Sequence, residues 1–244
     1  MYLHIKSIIA PLLGVLYPKR CVACDKVLLK IEKEIGFCAT CSSKVKLVGP
    51  VACMKCGTPI SDDRAEFCRN CVCTTRTFIQ NKAIYQYTGD MKAAMYRFKY
   101  GNRRCYAKTF ARHGLHYYGD WIKKNGIEAI VPVPMYKDKE RKRGYNQAAV
   151  FARALSDITG LPVVDKVVQR NKDTEAMKQL NAVKRKKNLL KAFSLVKNDV
   201  QFRKVLLVDD IYTTGTTMDE VAKVLKQGGM EQVYGMSICI GEMQ

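Results

Sequence analysis

The sequence has few acidic residues, three histidines and one tryptophan. Asp and Glu total 22 against 42 Lys and Arg, which gives a formal charge of +20. Neither G-x-x-x-x-G-K-[S/T] nor G-x-G-x-x-G occurs, which argues against nucleotide hydrolysis by a P-loop and against a dinucleotide-binding loop. The basic excess favours a polyanionic partner, either nucleic acid or a phosphorylated ligand, over a merely solvated surface.

The chain also lacks a long hydrophobic run. The apolar stretch Leu3–Leu16 is interrupted by His4, Lys6 and Pro11, and it is too short to cross a bilayer. We predict that residues 1–20 form an amphipathic segment that packs on the protein, with weak membrane-surface contact as the alternative. The sequence YPKRC follows instead of a small-residue cleavage site, so we predict a cytoplasmic protein.

Cysteine is plentiful but confined to one region. Nine of the 11 cysteines fall between Cys21 and Cys73, and in a reducing compartment such clusters favour metal over disulfides. A two-residue spacer lets both thiolates of a pair face one ion, and two pairs complete a tetrahedral structural zinc site. Four such pairs occur, and they provide eight candidate ligands: Cys21, Cys24, Cys38, Cys41, Cys53, Cys56, Cys68 and Cys71.

Eight ligands imply two zinc ions, most simply with consecutive pairs sharing an ion. A cross-braced arrangement that joins the first pair to the third has the same chemistry and stays open. A single zinc ion with one degenerate site and pairing of the cysteines as disulfides are further alternatives that stay open. Cys73 is either a spare thiol or an alternative ligand.

Strands and helices alternate after the cysteines, which predicts a parallel or mixed α/β sheet. Basic residues follow the first predicted helix and also crowd Met135–Gln147, which we interpret as a loop leaving the end of a strand. Open α/β sheets bind ligands at such ends. The candidate anion or DNA contacts are Lys99, Arg103, Arg104, Arg141, Lys142, Arg143 and, in a polar segment after residue 171, Arg185. His113 and His116 are interpreted as packing or surface residues.

The stretch Val205–Thr217 reads VLLVDDIYTTGTT. Its apolar start predicts a buried strand, and Asp209 and Asp210 at the strand end can accept hydrogen bonds from the two hydroxyls of a ribose. The following loop offers hydroxyls and backbone N–H groups at a helix N-terminus, which is a favourable place for a phosphate. Thr217 and Glu220 have the spacing of a capping box. The stretch therefore predicts a ribose-phosphate ligand.

VLLVDDIYTTGTT resembles the phosphoribosyl pyrophosphate (PRPP) motif of the type I phosphoribosyltransferases. The whole chain resembles the competence protein F family (ComF, ComFC) through YPKRCVAC, FKYGNRR, VPVPMYKDKERKRGYNQ and the segment Arg185…Asn188. The resemblance implies a double zinc ribbon over residues 21–73. It also implies a type I phosphoribosyltransferase-like α/β domain over residues 82–244, with a parallel sheet flanked by helices. One position departs from the family: Met177 stands three residues after Thr174, where the family usually has Gln.

By this resemblance Asp209 and Asp210 would hold the PRPP ribose, and Mg²⁺ would bridge its pyrophosphate and its hydroxyls. The residues that would hold the 5-phosphate are Thr213, Thr214, Gly215, Thr216 and Thr217. The family further implies a DNA-uptake factor for natural transformation that binds single-stranded DNA and works with a helicase-like ATPase, ComFA. An active phosphoribosyltransferase that releases pyrophosphate is the alternative, and a regulator that uses PRPP as an effector is a third. The sequence specifies no acceptor nucleophile.

Overall fold

A computed structural model describes residues 18–172, 192–196 and 202–241. Its main sheet has four strands, all parallel, in the order β1-β6-β5-β2. A separate antiparallel pair is formed by β3 and β4. The strands are β1 (Asn81–Gln86), β2 (Ala129–Pro132), β3 (Val168–Arg170), β4 (Phe193–Leu195), β5 (Lys204–Tyr212) and β6 (Gln232–Ile240).

Within the described ranges, three one-turn helices lie in the cysteine-rich part and five longer helices accompany the sheet. The short ones are α1 (Glu32–Ile35), α2 (Ala39–Ser42) and α3 (Arg69–Cys73). The longer ones are α4 (Gly89–Tyr100), α5 (Tyr106–Lys124), α6 (Lys137–Arg143), α7 (Gln147–Thr159) and α8 (Thr216–Gln227). The predicted α/β fold with a parallel sheet and flanking helices is confirmed.

Strand β5 is buried on both faces, as its unbroken apolar start predicts. Leu206 and Val208 contribute to one core with α4, α5 and α7, through residues such as Phe98 and Phe110. Val205 and Leu207 point to the opposite core, which α8 covers with Val221, Ala222 and Leu225. Alternate residues of one strand therefore fill two separate cores.

The cysteine-rich part packs directly on the sheet and its helices. Phe37, from the first half of that part, lies 5.9 Å from the ring of Tyr85 in β1. His113 of α5 connects the cysteine-rich part to the sheet. Its Nδ1 lies 2.8 Å from the Tyr85 hydroxyl, and its Nε2 lies 2.8 Å from the Ile35 carbonyl. Burial lowers the pKa of His113. The interpretation of His113 as a packing residue is confirmed.

The linker between the two cysteine clusters covers the outer edge of the sheet. Val48 donates its N–H to the Ile84 carbonyl at 3.0 Å, and Gln86 donates to the Lys46 carbonyl at 2.9 Å. These antiparallel contacts use backbone groups of β1 that an edge strand would leave unpaired.

One element differs from the prediction: the basic stretch after β2 contains the two-turn helix α6. Asp138 and Glu140 lie in its first turn and its last turn is entirely basic, so both ends complement the helix dipole. Asp138 also pairs with Arg141 at 3.0 Å, and Gly144 ends the helix in the left-handed conformation. The prediction of a loop over this stretch was therefore wrong, because its charges are arranged so that they stabilise a short helix.

Two predictions fall outside the described residues: the N-terminal amphipathic segment up to residue 17, and the stretch that holds Met177 and Arg185. The domain boundaries at 21–73 and 82–244 stay predictions. Within the described ranges, no helix is both long and apolar enough to cross a membrane.

Candidate functional site

The eight predicted cysteine ligands form two tetrads. The first joins Cys21, Cys24, Cys38 and Cys41, and the second joins Cys53, Cys56, Cys68 and Cys71; within each, all four sulfur atoms lie within 4.8 Å of one another. The Sγ atoms of Cys24 and Cys38 are 3.7 Å apart, as are those of Cys56 and Cys68. Four sulfurs at about 2.3 Å from a central zinc would be about 3.8 Å apart, which is close to the distance found for one pair in each tetrad.

The chemistry of the tetrads also fits a divalent cation. Burial raises the pKa of Cys56 to about 12, and the charges of Cys53 and Cys68 contribute to that rise. Burial opposes ionisation of Cys53 too, but hydrogen bonds from backbone N–H groups outweigh it and lower the pKa of this thiol to about 7. Four adjacent thiolates can persist only beside a compensating positive charge, which zinc supplies.

The sulfur positions decide between the arrangements that the sequence left open. Consecutive pairs share a tetrad, so the cross-braced alternative is wrong. Sulfurs at 3.7 Å are far beyond the length of a disulfide bond. Cys73 is exposed and belongs to neither tetrad.

Asp209 and Asp210 lie within β5, which continues to Tyr212, whereas the sequence predicted that they mark the end of the strand. The reason is tertiary: β5 stays paired with β6 as far as Tyr212 and Ile240. Its other neighbour, β2, pairs only up to Val208. Beyond that point no described strand pairs with β5 on this side, and the two aspartates lie there.

Lys99 of α4 meets this aspartate pair. Its Nζ lies 2.9 Å from Oδ2 of Asp210, and the two side chains are 21% and 16% exposed. Burial lowers the pKa of Lys99, but the charge of Asp210, its hydrogen bond to Lys99 and the charge of Asp209 together outweigh burial, so the net change in the pKa is upward. For Asp209, burial and the charge of Asp210 together raise the pKa to about 7. The charge of Asp210 is thus balanced by Lys99, whereas the pKa of Asp209 lies close to neutral pH.

The threonine loop turns from β5 into α8 through Gly215. This residue has φ +75°, and a Cβ placed on it would lie at 3.0 Å or less from three atoms of the Tyr212 side chain. Thr213 and Thr214 are exposed, and the hydroxyls of Thr214 and Thr216 are 2.9 Å apart. The backbone conformation and the close approach of Tyr212 therefore both require glycine here.

The predicted capping box is absent. Helix α8 begins at Thr216 with Gly215 as its N-cap and no side-chain cap. The carboxylate of Glu220 instead accepts from Nζ of Lys223 at 2.7 Å. Because the turn starts earlier than the sequence suggested, Thr217 lies inside the first turn of the helix.

Two residues that sequence reasoning missed hold this loop in place. Arg76, five residues after the last tetrad cysteine, donates from Nη2 to the Thr214 carbonyl at 2.8 Å. Its neighbour Thr77 donates its backbone N–H to Oδ1 of Asp219 at 2.5 Å. Nothing in the sequence around Arg76 indicates this contact, because its partner lies 138 residues further along the chain.

The other predicted basic contacts within the described residues are spread over neighbouring surfaces and do not converge on Asp209 and Asp210. Arg103 pairs with Asp25 at 2.5 Å, and Arg104 lies 4.4 Å from the centre of the Tyr145 ring. Lys142 is exposed, as is Arg141 in its pair with Asp138. Arg143 contacts Tyr100. Among these cations, only Lys99 is recorded in an ion pair with either aspartate.

A cavity of about 740 Å³ lies elsewhere, between the first cysteine cluster and helices α5 and α7. Arg103 lines it together with Lys108 and Arg112, and no residue of the threonine loop does. The cavity is therefore separate from the aspartate and threonine site.

Comparison with known proteins identifies both parts of the chain. The description "Double zinc ribbon domain" matches residues 12–72, and "Phosphoribosyl transferase domain" matches residues 141–239. Competence protein F of Haemophilus influenzae is 34% identical over 225 residues, covering 89% of this chain and 96% of that protein. The chain belongs to the competence protein F family.

Other family relatives carry related names. Competence protein ComFC of Bacillus subtilis is 27% identical, with coverage of 86% of this chain and 89% of the relative. DNA utilization protein YhgH of Escherichia coli is also 27% identical, with 84% and 90% covered. Among solved structures, an adenine phosphoribosyltransferase overlaps at 15% identity with a TM-score of 0.37, covering 55% of this chain and 69% of its own. That overlap is too weak to support a conclusion.

The family assignment and the sheet together confirm the predicted architecture, a double zinc ribbon followed by a phosphoribosyltransferase-like α/β fold. The relatives' names connect the family to competence and DNA utilization.

Proposed function

We propose that this protein is a DNA-uptake factor of natural transformation that binds PRPP at the threonine loop and single-stranded DNA on its basic surface. The observation that carries the proposal is the juxtaposition of Asp209 and Asp210 with a loop that enters α8 through a left-handed glycine. The carboxylates would accept hydrogen bonds from the ribose hydroxyls. The 5-phosphate would lie among Thr213–Thr217, at the positive end of the helix.

The fit of Mg²⁺ to this site rests on its donor set. Carboxylate oxygens are ligands that Mg²⁺ accepts, and it keeps several other positions for water and substrate phosphates. In the proposal the aspartate carboxylates, together with PRPP itself, would hold Mg²⁺, and the ion would supply positive charge that offsets the negative charge of the pyrophosphate. The Lys99–Asp210 pair at 2.9 Å already balances one carboxylate, which leaves Asp209 as the group that responds to the incoming ligand.

Single-strand binding is supported by the net charge of +20 and by the exposed basic residues of α6. Lys and Arg contacts to phosphates dominate the affinity of proteins for nucleic acid. A partnership with the helicase-like ATPase ComFA, implied by the family resemblance, and the cytoplasmic location predicted from the N-terminal sequence belong to the same proposal.

The second candidate is an active phosphoribosyltransferase, in which a nucleophile displaces pyrophosphate at ribose C1. It is favoured by the same cradle, because a site that orients the ribose and its phosphate provides part of what this displacement needs. The described residues do not specify the acceptor.

Titration calorimetry with Mg-PRPP tests the shared element. We expect binding by the unsubstituted protein and by Asp120→Asn, a control on the exposed face of α5. We expect none by Asp209→Asn/Asp210→Asn, which keeps the shape but removes both charges. Equal binding by the double variant contradicts the assignment of the aspartates.

Fluorescence anisotropy with a labelled 15-nucleotide strand, with and without Mg-PRPP, tests the DNA part. A DNA-uptake factor binds the strand at low salt. A change in affinity on adding PRPP favours regulation by PRPP, and release of pyrophosphate that the double aspartate variant lacks favours the enzyme. No strand binding under any of these conditions removes the DNA-binding proposal.

A further inference from the structure

Two tyrosines of α4 are exposed side by side. Tyr96 is 66% exposed and Tyr100 is 62% exposed, and their ring centres are 5.1 Å apart with a 48° angle between planes. The intervening Phe98 is completely buried. Neither tyrosine ring therefore contributes to the core, although the pair presents a continuous aromatic surface.

Arg143 extends this surface. Its guanidinium carbon lies 4.8 Å from the centre of the Tyr100 ring, and its Nη2 donates to the Tyr100 hydroxyl at 3.2 Å. Nη1 donates to Oε1 of the buried Gln147 at 2.6 Å, which fixes the other side of the group. Three contacts thus hold a planar cation against an exposed ring, and a cation of this kind supports the stacking of a base.

The surroundings of the tyrosines are basic. Arg143 ends α6, whose seven residues include five Lys or Arg and two Asp or Glu, which gives a net charge of +3. Lys142 and Arg141 are exposed on this helix. Aromatic rings beside a basic helix suit a strand with bases and phosphates better than an apolar protein segment.

The tyrosines also adjoin the proposed PRPP site. Lys99 is the residue before Tyr100, and it contacts Asp210 at 2.9 Å. A short stretch of α4 therefore connects the aromatic surface to the aspartate pair, and the bases of a bound strand would lie next to the ribose-phosphate cradle.

We propose that Tyr96, Tyr100 and Arg143 form a stacking platform for the bases of single-stranded DNA, and that the backbone phosphates follow Arg141 and Lys142 of α6. This inference rests on the proposed single-strand binding and locates it. Phe98 and Tyr145 are also aromatic and lie close by, but they are excluded from the platform because they are only 0% and 6% exposed.

The test compares two labelled 15-nucleotide probes, oligothymidine and a strand of the same length with abasic sites. Both carry the same phosphates, so only stacking distinguishes them. We expect oligothymidine to bind more tightly. Tyr96→Ala and Tyr100→Ala should each weaken its binding by at least roughly fivefold, the lower end of what stacking on one aromatic side chain contributes.

The controls separate stacking from charge and from misfolding. Tyr100→Phe keeps the ring and loses only the hydroxyl that contacts Arg143, so it should retain the preference for oligothymidine over the abasic strand. Tyr117→Ala removes another exposed tyrosine, on α5, and should also bind normally. Lys142→Ala should reduce the salt dependence of binding by about one phosphate contact for both probes, whereas the tyrosine variants should leave that dependence unchanged.

Two outcomes overturn the inference while single-strand binding stands: equal affinity for the two probes, or normal oligothymidine binding by the double variant Tyr96→Ala/Tyr100→Ala. If the unsubstituted protein binds neither probe, the inference falls together with the proposed DNA binding. Calorimetry with Mg-PRPP reports separately whether the aspartate site is intact in each variant.

Discussion

Alanine substitutions at three glycines separate backbone strain from side-chain overlap at the threonine loop. Gly119 lies within α5 with open space around it, so alanine should stabilise the protein by about 0.5–1 kcal/mol. Gly160 has φ +74° and open space. There the left-handed conformation destabilises the alanine variant by about 1–2 kcal/mol. Alanine also lowers the conformational entropy of the unfolded chain, which offsets about 0.4–1 kcal/mol of that loss. The expected net loss is about 1 kcal/mol.

Gly215 combines both effects. Its φ of +75° matches that of Gly160, and its added Cβ would also overlap the buried Tyr212 ring. Overpacking adds about 1–3 kcal/mol, so the total loss for Gly215→Ala should be about 2–4 kcal/mol. We also expect loss of Mg-PRPP binding in this variant alone, because the loop must move to release the overlap.

Urea unfolding of the zinc-loaded variants, followed by calorimetry with Mg-PRPP, measures both effects. The series is informative because the chemical change is the same at all three positions. If Gly215→Ala is no less stable than Gly160→Ala and binds Mg-PRPP normally, then neither the Tyr212 contact nor the loop conformation has the role given to it here.

Three further predictions concern charge and metal. Metal analysis should find two zinc ions per chain in the unsubstituted protein and in Cys73→Ser, but about one in Cys24→Ser, and equal content in the two variants would contradict the tetrads. A double-mutant cycle with Lys99→Met and Asp210→Asn should give a coupling free energy of at least about 1 kcal/mol, because both partners are mostly buried; a value near zero would mean that the pair contributes nothing. The raised pKa of Asp209 means that folding opposes its ionisation, so the free energy of unfolding should fall from about pH 4 to pH 7 relative to Asp209→Asn, and parallel pH profiles would argue against it.

Local patterns predicted the tetrads and the strand because the chemistry of each is carried by residues close in sequence. Two cysteines separated by two residues form half of a tetrahedral site wherever the chain places them. Similarly, the apolar run that begins at Val205 requires burial on both faces. The threonine loop could be located for the same reason, since it follows directly from that strand.

Contacts between distant segments were not predictable. Lys99 meets Asp210, and Arg76 meets Thr214, only because the fold brings α4 and the segment after the last cysteines to the C-terminal end of β5 and the loop that follows it. The sequence predicted that β5 ends at the aspartates, which is too early, because the length of β5 depends on its pairing with β6. The roles of Tyr96 and Phe98 could not be separated either, because both are aromatic and only helix packing decides which is buried.

The position of β6 has a consequence for synthesis of the chain. It is the last of the six described strands to leave the ribosome, yet it lies between β1 and β5 and pairs with both. The N-terminal ribbon region can collect its zinc early. However, β1, which this region contacts at the edge of the sheet, cannot join the sheet until residues 232–240 of β6 have been translated. An interruption late in synthesis would therefore leave a metal-loaded N-terminal part beside an open sheet, with exposed strand edges that are prone to aggregation.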